Sequence, residues 1–124
     1  MTQAVKKLVK EAWDLEAFKR AYVISLAIHK ASKSYPKDEI FALTSQIRRA
    51  SKSVCANLAE GFAKQEFSAA EFKRFISIAI GSATEMRLWI RYSLDLEYIT
   101  KEQAKSWSQE YQVITRMLRG LYGK

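Results

Sequence analysis

The stretch SQIRRASKSVCANLAEG, Ser45 to Gly61, decides the fold of this chain. Around it, Ile40, Leu43, Ile47, Ala50, Val54, Asn57 and Gly61 recur in alternating steps of three and four, the spacing of one buried helical face. Arg48, Arg49 and Lys52 fall within one turn on the opposite side, undiluted by acids until Glu60. A polar Asn57 on the apolar stripe suits a residue that fixes helix register in a bundle. The pattern predicts a helix over Lys37 to Gly61. Tyr35-Pro36 stops whatever precedes it, because the residue before proline is pushed away from helical geometry.

Working outward, Leu15, Phe18, Tyr22, Leu26 and His29 mark the expected core face of a helix over Leu15 to Ser34. Downstream, Ser68 and Glu71 form a capping-box pattern, and Phe72, Ile76, Ala79, Ala83, Met86 and Ile90 carry the stripe of a helix over Ala69 to Leu94. Thr100 and Gln103 repeat the capping pattern before Ala104, Trp107, Tyr111, Ile114, Leu118 and Leu121. Helices of ~20–26 residues are about 30–39 Å long. Connections of about 3 to 7 residues make neighbours antiparallel. The expectation is an all-α, up-down-up-down four-helix bundle over residues 14–124, preceded by an amphipathic extension over 1–13 in which Val5, Leu8, Val9 and Trp13 alternate with Lys6, Lys7 and Lys10.

Two of these segments, SQIRRASKSVCANLAEG and EFKRFISIAIGSATE (Glu71 to Glu85), resemble a bacterial four-helix-bundle family. It is that of proteins encoded in intervening sequences of large-subunit ribosomal RNA genes, and it includes the accessory variability determinants of diversity-generating retroelements. The resemblance runs from Leu15 to about Leu121. It implies a ring-forming bundle, a pentamer in the retroelement branch, and a reverse transcriptase with its RNA or DNA as partners.

The residues themselves argue for more than one chain. Phe75, Ile78, Trp89 and Leu96 lie beside the core stripe of the third helix, and Ile24 and Ile28 lie opposite the expected core face of the first. Such surfaces together exceed the apolar patch a monomer tolerates. Ile24, Ile28, Phe75, Ile78 and Trp89 are therefore the expected oligomer interface. Gly81-Ser82-Ala83 supplies small side chains for close helix approach at mid-length of the third helix.

Charge points to a polyanion. The chain has 21 Lys and Arg against 13 Asp and Glu, a net charge of +8, with a pI near 9.7. Arg48, Arg49, Lys52, Lys73, Arg74 and Arg91 are the candidate nucleic-acid contacts, suited to neutralising phosphates without reading sequence. Intrahelical ion pairs such as Glu16 with Arg20 would instead make these faces merely solvated. No helix-turn-helix, zinc-finger or RNA-recognition signature is present.

Catalytic signatures fail in turn. His29 is the single histidine, and the Glu-x-x-His pairs of a di-iron bundle are missing. There is no Cys-x-x-Cys, Cys55 stands alone, and no glycine-rich phosphate loop occurs. Glu60 and Glu85 are expected to pair with Arg48 or Arg49 rather than to work as acid and base. No cofactor, no metal and no enzymatic activity are expected. Without a signal-peptide stretch or a membrane span, the expected location is the cytoplasm. The leading expectation is a basic, oligomeric scaffold bound to nucleic acid. A protein-interaction module without a nucleic-acid role, docking through the segment around Trp13, is the alternative.

Overall fold

The structure is a computed structural model and describes residues 12–123. The extension's Val5, Leu8, Val9, Lys6, Lys7 and Lys10 lie outside those residues. Four helices make the body: α1 (Glu16–Ala31), α2 (Leu43–Lys64), α3 (Ala69–Asp95) and α4 (Lys101–Tyr122). No strand occurs among the described residues. Each helix packs on its sequence neighbours, and α1 closes on α4, so the four form a ring-like cross-section around one core. Short links at residues 65–68 and 96–100 make their partners antiparallel.

The α3 and α4 expectations hold. Phe72, Ile76, Ala79, Ala83, Met86 and Ile90 are buried, as are Ala104, Trp107, Tyr111, Ile114 and Leu118. Ser68 Oγ accepts from the Glu71 amide, and Thr100 Oγ1 from the Gln103 amide, each at 3.1 Å. Both helices thus begin where an otherwise unpaired donor is capped.

The first half departs from expectation in three places. On α1 the core face is Ala17, Phe18, Ala21, Ile24, Ser25 and Ile28, whereas Tyr22 and Leu26 are exposed. The small alanines let α1 sit close to its neighbours, and Tyr22 turns outward to pack on Phe18 and Trp13. The start of α2 is Leu43, not Lys37. A short 3₁₀ turn, Lys37–Glu39, comes first, and Ala42 (φ −126°, ψ −110°) leaves helical geometry before α2 begins. Ile40 is consequently exposed rather than part of the stripe. Finally, Leu58 and not Asn57 follows Val54 in the core. Asn57 is half-buried at the α3 side, where Nδ2 donates to the Ser53 carbonyl and hydroxyl.

Small residues do bring α2 and α3 together, but not Gly81. Ser53 and Ser82 share a hydrogen bond at 2.8 Å across the two helices. A Cβ on Gly61 would lie 3.2 Å from Phe75 Cβ, whereas one on Gly81 would meet nothing within 4 Å.

Candidate nucleic-acid interface

The six expected phosphate contacts do not form one patch. Arg48 Nε donates to Ser32 Oγ at 2.7 Å, which fixes its guanidinium beside the α1–α2 connection. Arg49 pairs with Glu85 of α3, whose carboxylate also accepts from Trp89 Nε1 at 2.7 Å. Lys52 Nζ lies 3.0 Å from His29 Nδ1. Lys73 sits over the Tyr122 ring, Arg74 pairs with Glu71 while covering the Phe75 ring, and Arg91 pairs with Asp95. Glu85 thus takes the ion-pair role expected of it, while Arg20 reaches across to Glu110 of α4 instead of pairing with Glu16 along its own helix.

A different constellation is assembled by the tertiary structure. Between the end of α3 and the start of α4 runs a groove of about 490 Å³, lined by Thr84, Arg87, Ile90, Arg91, Leu94, Lys101, Ala104, Lys105 and Ser108. Four of the nine are cations and none is an acid. Ile90, Leu94 and Ala104 form an apolar floor, with the charges along both walls and two hydroxyls, Thr84 and Ser108, between them. Arg87 and Arg91 are four apart on α3, as are Lys101 and Lys105 on α4, so each pair lines one side of its helix. Those paired spacings flanking the Thr100 cap were the sequence signal for this groove; Lys101 and Lys105 escape notice when each helix is read alone.

Antiparallel packing gives the groove company. The end of α1, the start of α2, the end of α3 and the start of α4 all lie at one end of the bundle, tied by Tyr35 Oη to Ser93 Oγ and Tyr98 Oη to Glu39. That end collects Lys30, Lys33, Lys37, Arg48, Arg49, Lys52, Arg87, Arg91, Lys101 and Lys105 against Asp38, Glu39, Glu85, Asp95, Glu97 and Glu102. Among residues 12–123 the opposite end is nearly balanced. Partial burial and the cations Lys52, Arg48 and Lys33, in that order, hold the His29 pKa below its ordinary value.

The expected oligomer contacts divide as well. Ile24 and Ile28 are 6% and 0% exposed, so they belong to the intramolecular core and are closed to a second chain. Phe75 and Trp89 are half-buried on the α2 side of α3. Ile78 is exposed, and with Leu88, Tyr92 and Leu96 it forms an apolar stripe along the outer side of α3. Trp13 is also exposed, edge-on to Phe18 at 4.7 Å.

Burial pushes the Cys55 thiol up to about 11, with a Ser25 bond opposing, so Cys55 is protonated and unreactive at neutral pH. Among the described residues, no group of three or more His, Cys, Asp or Glu is placed to hold a metal ion. No described helix is long and apolar enough to cross a membrane.

Comparison with known proteins agrees with the architecture. A sequence profile described as "23S rRNA-intervening sequence protein" matches residues 13–120. The chain belongs to that family. Its fold is similar to the crystal structure of a protein of unknown function from the S23 ribosomal protein family of Bacteroides thetaiotaomicron. The TM-score is 0.77 at 26% identity, covering 87% of this chain and 96% of the other. No curated protein matches.

Proposed function

We propose that this protein is a non-enzymatic, oligomeric scaffold that holds nucleic acid by its phosphate backbone, with the α3–α4 groove as the principal contact. The observation that carries the reading is the groove itself: four cations, no carboxylate among its lining residues, and an open apolar floor. Cations on two walls can follow a phosphate chain without reading bases, and two hydroxyls add neutral donors. The other cations at the same end extend the track toward α1 and α2. Self-association is supported by the outer stripe of Ile78, Leu88, Tyr92 and Leu96 on α3. A pentameric ring, and a reverse transcriptase as partner, are what resemblance to the retroelement branch adds. A ring would multiply the +8 of each chain.

The test is titration of single- and double-stranded oligonucleotides over a range of salt. Binding should weaken steeply as salt rises, and Lys101→Ala with Lys105→Ala should weaken every sequence alike. Tight binding indifferent to salt, or no binding at about 50 mM salt, would sink the proposal.

A further inference from the structure

The geometry points to a second site, a pocket for a phosphomonoester where the α1–α2 connection folds over the start of α2. It is a cavity of about 320 Å³ on which Lys33, Lys37, Arg48 and Thr44 converge. Three observations carry the assignment. Thr44 is 2% exposed, and its Oγ1 is buried without a hydrogen-bond partner, an arrangement that native proteins rarely leave unexplained. The helix behind it, α2, is 22 residues long, and its N-cap residue, Ala42, has no side chain that could cap it. Glu39 accepts from the Leu43 amide at 3.3 Å, but the Thr44 and Ser45 amides have no partner among the described residues. Helix starts of this kind attract anions.

The third observation is charge. No carboxylate lies within ion-pair distance of Lys33, Lys37 or Arg48 among the described residues. The Arg48 guanidinium is held at the rim by its Nε bond to Ser32, leaving its terminal nitrogens to face a ligand. Glu39 does not line the cavity; its carboxylate is engaged by the Leu43 amide at 3.3 Å and by Tyr98 Oη at 2.8 Å. Three cations with the amide and the orphaned hydroxyl of Thr44 suit a terminal phosphate, which brings nearly two charges and three strong acceptors. A bridging phosphodiester brings one charge and fits the open groove better. Tyr35, Pro36 and Ile40 give the cavity an apolar wall for whatever the phosphate is attached to. The source is a nucleic-acid end or a free nucleotide. The first would deepen the backbone reading, and the pocket does not depend on that reading.

The experiment follows the Thr44 and Ser45 amides by NMR while inorganic phosphate, adenosine 5′-monophosphate, adenosine or chloride is added at matched ionic strength. Phosphate and the nucleotide should move both amides, and adenosine and chloride should not. In parallel, a single-stranded oligonucleotide with a 5′-phosphate should bind roughly tenfold tighter than its 5′-hydroxyl twin. Thr44→Val should erase that preference and Thr44→Ser should keep it. Amide shifts without a preference between the oligonucleotides assign the pocket to a free phosphomonoester. Amides unmoved by phosphate and nucleotide, or moved equally by chloride, overturn the pocket. Loss of salt-dependent binding by both oligonucleotides with the amide shifts intact would instead refute the groove.

Discussion

Thr44 brings a hydroxyl into the interior and finds nothing to bond there. A buried polar group without a partner costs about 1–3 kcal/mol, so the isosteric Thr44→Val should make the free protein more stable, by about 1 kcal/mol in denaturant unfolding. A loss of stability would mean that Oγ1 is satisfied in solution, by water or by relaxation of the loop. His29 supplies the other residue-scale expectation. Its pKa is held below the ordinary value by burial and by Lys52, Arg48 and Lys33. As pH falls through about 6.5, the unfolded chain therefore takes up a proton before the folded one does, and stability falls. A bound polyanion offsets the neighbouring cations and raises the same pKa. Binding should therefore take up a proton and strengthen between pH 7.5 and 6. His29→Gln should flatten that dependence, and an unchanged pH profile in the variant would show that His29 is not the group responsible.

Two glycines at helix scale are expected to respond in opposite directions. Gly61 faces α3, where an added Cβ would lie 3.2 Å from Phe75 Cβ and 3.4 Å from the Phe72 carbonyl oxygen. Neither atom is the end of a flexible side chain, so Gly61→Ala should lower the melting temperature despite the better helix propensity of alanine. Gly61→Val should lower it further. Gly81 has open space, and Gly81→Ala should stabilise α3 by about 0.5–1 kcal/mol. If both raised the melting temperature, α2 and α3 would be less tightly apposed than the Ser53–Ser82 contact indicates. The same scale shows where the sequence was readable. The α3 stripe runs in unbroken three- and four-residue steps from Phe72 to Ile90, and the second apolar set, Phe75, Ile78 and Trp89, lies beside it rather than opposite, so the core face was legible. On α1 two faces carry apolar residues at helical spacing, and side-chain size favoured the wrong one. Tyr22 and Leu26 look like core, yet close packing there selects Ala17, Ala21, Ile24 and Ile28. Asn57 and Leu58 differ by one step after Val54, and three- and four-residue steps are equally helical. The connection of residues 32–42 was unreadable for another reason: the break at Ala42 is a backbone conformation that no proline or glycine announces. Both proposed anion sites use the edges of such connections, which is why neither appeared as a motif.

For the whole molecule, the measurable quantity is the number of phosphates neutralised. The slope of log K against log salt should be reduced by about one for each groove cation removed, so Lys101→Ala with Lys105→Ala should reduce it by about two. An unchanged slope with weaker binding would mean that these lysines act through the fold. Assembly is testable through the outer stripe of α3. Ile78→Asp with Leu88→Asp alters exposed positions and should lower the mass seen by light scattering while helix content is kept. Trp89 is a poor choice for that experiment, because it packs against the core and its Nε1 donates to Glu85. A wild-type mass of 14.3 kDa at micromolar concentration would refute self-association.

The placement of cations at one end of an antiparallel bundle gives each chain a direction as well as a charge. Rotation about a single axis preserves the component of that direction along the axis, so a cyclic ring whose bundles stand along its axis, whatever its copy number, would present the charged ends of all its chains with the same polarity. A dihedral assembly of the same chains would point half of them each way. The two symmetries therefore differ in a quantity that can be counted: a cyclic ring has one polyanion-binding face and a dihedral one has two equivalent faces. The stoichiometry of a saturating long oligonucleotide, set against the assembly's mass, would read out the symmetry without an image of the particle.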